Sequence, residues 1–139
     1  MALRAPRPSA AYLWFRVFFW CAVIFYFSSK PNYEGRTLTF ETLHGILEFA
    51  FRKTSHLAEY FILAVFTLRA VEETRKGSFR ARFFLTFCFA LLYSVSDEWH
   101  QTFVFGRTGT VVDVFIDSLG ILAGCLYCRF ISHQKTDET

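Results

Sequence analysis

Ionisable residues gather at three places in this sequence. Lys53, His56 and Glu59 recur at i, i+3 and i+6. Asp97, Glu98 and Gln101 follow an apolar run, with Ser94 one turn before Glu98. Arg107 stands in a short Gly-containing segment, and Asp113 and Asp117 sit at i, i+4 where the next apolar run begins. These residue types support definite chemistry. His56, Glu59, Asp97, Glu98 and Asp117 are candidate catalytic groups, because imidazole and carboxyl side chains serve as general acids and bases. Lys53, Gln101, Arg107 and Asp113 are candidate substrate contacts, with the two cations suited to a phosphate or carboxylate. Asp97, Glu98, Asp113 and Asp117 offer the hard oxygens of a divalent-cation site, which one His would tune towards Zn²⁺ or Mn²⁺. Five carboxylates face two fixed cations in this set. Surplus acids must hold a proton or meet a further cation. The plainer reading is a structural network in which Lys53 and Arg107 pair with the acids.

The surrounding chain explains why such a set is unusual. The 139 residues are 53% hydrophobic and only 19% charged, with nineteen Phe. Soluble domains carry about 25% charged residues, so the composition points to a membrane. Apolar stretches place four spans at about 10–27, 53–71, 82–102 and 111–131. A bilayer core needs about 20 residues per helix. The second and third spans reach that length only by taking in Lys53, His56 and Glu59, or Asp97 to Gln101. The first stretch follows Arg4 and Arg7 and ends at Ser28-Ser29-Lys30-Pro31 without a small-residue cleavage site, which favours a retained helix over a signal peptide. Between the first two spans Phe40, Leu43, Leu47 and Ala50 keep helical spacing after Thr39, a candidate N-cap. They form either a short amphipathic surface helix or an extension of the second span. On the fourth span Asp113, Asp117, Gly120 and Gly124 share one face, so a small-xxx-small contact carries both acids inward. The fold class is therefore an all-α bundle of four transmembrane helices, read as a single domain over 1–139.

Loop charge sets the expected orientation. With four spans, Arg4, Arg7, Arg16, Arg69, Arg75, Lys76, Arg80, Arg82, Arg129 and Lys135 fall on one side, against five basic residues on the other. The positive-inside rule then puts both termini in the cytoplasm. Eight of the twelve acids fall outside, and the ionisable cluster lies at the outer leaflet. Charges at that depth are costly, face the bundle interior and mark function by default.

Taken together, four fragments resemble the VanZ-like family. They are Ser28-Ser-x-Pro31, Lys53-x-x-His56-x-x-Glu59-Tyr60, Asp97-Glu98-x-x-Gln101, and Arg107-x-Gly109-x-x-x-Asp113-x-x-x-Asp117-x-x-Gly120-x-x-x-Gly124. The resemblance spans roughly Leu13 to Phe130. It implies a small multi-pass protein of the bacterial inner (cytoplasmic) membrane. The family's namesake is associated with low-level teicoplanin resistance, and no residue marks this chain as that protein. Two positions depart from the family pattern: Phe105 stands where Pro is common, and Asp117 where Asn is common.

Three functions fit. The first is an enzyme or binding protein for a lipid-linked or cell-envelope head group, with membrane lipid as its partner. The second is a divalent-cation site; the sequence leaves the cofactor open, with a divalent cation as the candidate. The third is a non-catalytic scaffold or partner of an envelope enzyme. The sequence does not decide between catalysis and binding, nor does it set an oligomeric state. No nucleic-acid module appears, and the basic residues are accounted for by topology. Cys21 and Cys88 read as apolar fillers, and the Cys125-x-x-Cys128 pair as buried packing.

Overall fold

The computed structural model describes residues 8–32 and 43–137. Four helices follow one another: α1 (Ala10–Ser28), α2 (Leu43–Thr74), α3 (Phe79–Gln101) and α4 (Val111–Asp137). The described residues contain no strand. Thr39 and Phe40 lie outside the described residues, as do Arg4 and Arg7. Leu43 to Ala50 belong to α2 without a break, so the extended second helix replaces the separate amphipathic one. At 1.5 Å per residue its 32 residues reach about 48 Å, longer than a hydrocarbon core is thick.

Local signals set the helix ends. Ser9 caps α1, its side chain accepting from the Tyr12 amide at 3.3 Å, and Ser78 caps α3 by accepting from Ala81 at 3.3 Å. Thr110 precedes α4, its Oγ1 accepting from the Asp113 amide at 3.1 Å. In the α3–α4 connection Gly106 has φ +74°, and a Cβ there would overlap the Asn32 carbonyl.

α2 is the hub of the bundle, packing against α1, α3 and α4, while α1 and α4 do not meet. Its buried face carries Tyr60, Leu63, Ala64, Leu68, Ala70 and Val71. Gly120 and Gly124 let α4 approach the α2 backbone. A Cβ at Gly120 would overlap the Leu57 carbonyl oxygen, and one at Gly124 would stand 2.6 Å from that of Phe61. Arg16, the lone charge inside α1, lies over the Phe66 ring of α2 at 4.0 Å. Cys125 and Cys128 are buried, and all four cysteines are free.

The outer surface reverses the pattern of a soluble protein. Phe15, Phe18, Phe19, Phe84, Leu92, Phe115 and Phe130 are exposed, while His56, Asp97, Glu98, Gln101, Asp113 and Asp117 are buried. α1, α3 and the Val111–Gln134 part of α4 are each long and apolar enough to cross a bilayer. α2 falls outside that group: Arg52, Lys53, His56 and Glu59 bound its apolar run on one side, and Arg69, Glu72 and Glu73 on the other.

Candidate functional site

α2, α3 and α4 each place one ionisable side chain at a common buried point. His56 of α2, Glu98 of α3 and Asp117 of α4 offer donor atoms within 4.8 Å of one another. His56 Nδ1 lies 3.3 Å from Asp117 Oδ1 and 3.8 Å from Glu98 Oε1. Asp117 is fully enclosed. Its Oδ2 accepts from Ser94 Oγ of α3 at 2.6 Å. Glu98 Oε2 accepts from the Thr110 amide at 2.8 Å. That contact meets an amide that α4 itself cannot satisfy, so α3 supplies part of the α4 cap. By contrast, His56 Nδ1 and Asp117 Oδ1 are buried without a hydrogen-bond partner.

The other ionisable residues surround this centre in separate contacts. Lys53 Nζ pairs with Asp113 Oδ1, and Asp113 Oδ2 accepts from Thr110 Oγ1 at 2.9 Å. Asp97 turns towards α1, accepting from Ser28 Oγ at 2.5 Å. Gln101 Nε2 bridges Asp97 Oδ2 at 3.0 Å and Glu98 Oε1 at 3.3 Å. Arg107 commits two donors to α1 and the residues after it, with Nε to the Lys30 carbonyl at 3.1 Å and Nη2 to that of Phe27 at 2.9 Å. A guanidinium there neutralises the negative end of the α1 dipole. Burial first, then the Arg52 charge, pulls Arg107 below its ordinary pKa, but a guanidinium still stays charged.

A cavity of about 360 Å³ opens beside the centre. Lys30, Arg52 and Arg107 line it with positive charge, and His56, Glu59, Gln101, Ser28 and Ser55 give it polar groups. Phe27 and Phe51 supply its apolar wall. His56 thus lines the cavity and also meets the buried carboxylates. Glu59 lines the cavity, and its backbone carbonyl accepts from Trp20 Nε1 of α1 at 2.9 Å.

Of the nine candidate residues, the structure gathers His56, Glu98 and Asp117 at one point and joins Gln101 to Glu98. It sets Lys53 and Asp113 together at a second point. Asp97 joins Gln101 and Ser28, while Glu59 and Arg107 line the cavity. Sequence reasoning passed over Ser28, Lys30, Arg52 and Thr110 as site residues. Thr110-x-x-Asp113 before an apolar run carries a capping-box signature and could have flagged Thr110. No local signal marks Ser28 as a partner of a residue on α3.

The VanZ/LLP1 family model matches residues 13–132, a stretch that takes in every residue of the centre. This chain belongs to the VanZ/LLP1 family. Neither a curated protein nor a solved structure matches it. The VanZ/LLP1 match therefore covers α1, α2 and α3 from Leu13 onward and most of α4, leaving only short ends outside.

Proposed function

We propose that this VanZ/LLP1 chain is a multi-pass protein of the bacterial cytoplasmic membrane that binds the anionic head group of a lipid-linked or cell-envelope molecule at the outer leaflet. The observation that carries this reading is the cavity in which Lys30, Arg52 and Arg107 meet His56 and Glu59 beside Phe27 and Phe51. Cations suit a phosphate or carboxylate, and the aromatic wall suits the first carbons of an acyl or prenyl chain. In this reading α2 also spans the membrane, crossing from about Lys53 to Thr74. Those residues reach about 33 Å, enough for a core about 30 Å thick. Lys53, His56 and Glu59 then lie at the outer end, Arg69, Glu72 and Glu73 at the inner end, and the basic α2–α3 turn and both termini lie in the cytoplasm. His56 and Glu59 are the groups placed to move a proton on a bound head group.

The test is a titration of the purified protein in detergent with a polyprenyl phosphate, against phosphatidylcholine as a zwitterionic control. Arg52→Ala is expected to weaken polyprenyl phosphate binding about tenfold, the equivalent of about 1.4 kcal/mol. Equal affinity for both lipids, or an unchanged affinity in Arg52→Ala, overturns the reading. Phosphate release that is abolished by Glu59→Gln with binding retained would make the protein an enzyme.

A further inference from the structure

We propose that His56, Glu98 and Asp117 form a binding site for one divalent transition-metal ion, Zn²⁺ or Mn²⁺. The proposal rests on two unpartnered donors of the three, since Glu98 Oε1 also accepts from Gln101 Nε2. His56 Nδ1 and Asp117 Oδ1 are both buried without a hydrogen bond, on side chains that are 8% and 0% exposed, yet they face each other at 3.3 Å. Buried polar atoms in folded proteins are nearly always paired, and an ion is one of the few groups that satisfies two acceptors at once. Donors at about 2.0–2.2 Å from a tetrahedral ion stand roughly 3.3–3.6 Å apart. The Nδ1–Oδ1 spacing of 3.3 Å matches this, and the Nδ1 to Glu98 Oε1 spacing of 3.8 Å is slightly wider.

The carboxylates are held as metal ligands are. The second oxygen of Asp117 accepts from Ser94, and that of Glu98 from the Thr110 amide. Such outer contacts fix ligand orientation. Two carboxylates and a neutral imidazole balance a divalent charge, whereas Lys53 is committed to Asp113. One nitrogen and two oxygens fit a borderline ion, while Ca²⁺ takes six to eight oxygens. The cavity beside His56 gives an entry path.

The test loads chelator-washed full-length protein with ZnCl₂ or, in parallel, MnCl₂ in detergent, removes free metal and measures bound metal per chain. X-ray absorption on the loaded wild-type protein then reads the ligand atoms. The expected result is about one Zn²⁺ per chain with only nitrogen and oxygen ligands, including an imidazole. Asp117→Asn and His56→Gln should each weaken binding at least tenfold, while the double change Cys125→Ser, Cys128→Ser leaves it unchanged. Failure of the wild-type protein to retain Zn²⁺ or Mn²⁺, sulfur among the ligands, or wild-type affinity in both site variants overturns the proposal. The wild-type spectrum decides the matter even where a variant does not fold. No lipid enters this titration, so a negative result leaves the head-group reading standing. A failed lipid titration likewise leaves the metal site untouched.

Discussion

The acids of this bundle differ in their partners more than in their type. Asp117 has Ser94, Asp113 has Lys53 and Thr110, and Asp97 has Ser28 and Gln101. Ser94→Ala removes a fully buried donor from a carboxylate. It should lower unfolding stability in detergent by about 1.5–3 kcal/mol, the range for a hydrogen bond to a charged group. Ser96→Ala, two residues on and exposed, should stay within about 0.5 kcal/mol of wild type. Chemical denaturation of both variants checks the pair, and equal losses would count against a special role for Ser94. The spacing of Lys53, His56 and Glu59 marks a polar stretch, which the structure places in the middle of α2 and not at its start, but it does not mark which residue meets which acid. Positions i and i+6 lie about 120° apart around a helix. Lys53 and Glu59 therefore face different neighbours, Asp113 for one and the cavity for the other.

Between elements, backbone proximity matters more than side-chain chemistry. The Gly120 and Gly124 face was legible because its spacing put small residues in register with Asp113 and Asp117. The tertiary structure adds the partner, the α2 carbonyls of Leu57 and Phe61. Gly120→Ala is expected to cost about 1–3 kcal/mol by overpacking, and Gly120→Leu to prevent recovery of monodisperse protein. Thermal unfolding and size-exclusion chromatography check these outcomes. A second element contact joins the α3–α4 connection to the end of α1. Arg107 grips the Phe27 and Lys30 carbonyls, and the Asn32 amide donates to the Phe105 carbonyl at 3.0 Å. Arg107→Ala should raise amide hydrogen exchange over residues 27–32 while leaving residues 60–71 of α2 protected. Uniform exchange across the chain would instead mean that the contact holds the whole bundle.

Across the described residues, apolar side chains cover much of the outside while Asp97, Glu98, Asp113 and Asp117 sit within. In water this arrangement would leave a large aromatic surface exposed, whereas in lipid it costs little. A four-span topology separates the α2–α3 turn from the α3–α4 connection. In a cysteine-free background, Thr108→Cys should react with a membrane-impermeant maleimide added to the outside of intact cells. Gly77→Cys should react only after the membrane is opened. Labelling of both positions from one side would remove α3 as a span, and the reverse pattern would overturn the four-span topology with cytoplasmic termini.

The sequence by itself pointed to the helical class, a membrane setting, the resemblance to the family and the grouping of polar residues on three helices. The class, the setting and the grouping depend on composition or on a local period, which a linear chain displays directly, and the family resemblance rests on four motif fragments in order. Only the tertiary structure decided that α2 runs unbroken from Leu43, that α1 reaches the site through Ser28, and that His56 meets Glu98 and Asp117 instead of Asp97 or Asp113. Those outcomes depend on how far each helix is rotated about its axis and how deep it lies against its neighbours. Close packing of Gly120 and Gly124 on the α2 backbone constrains both for α4.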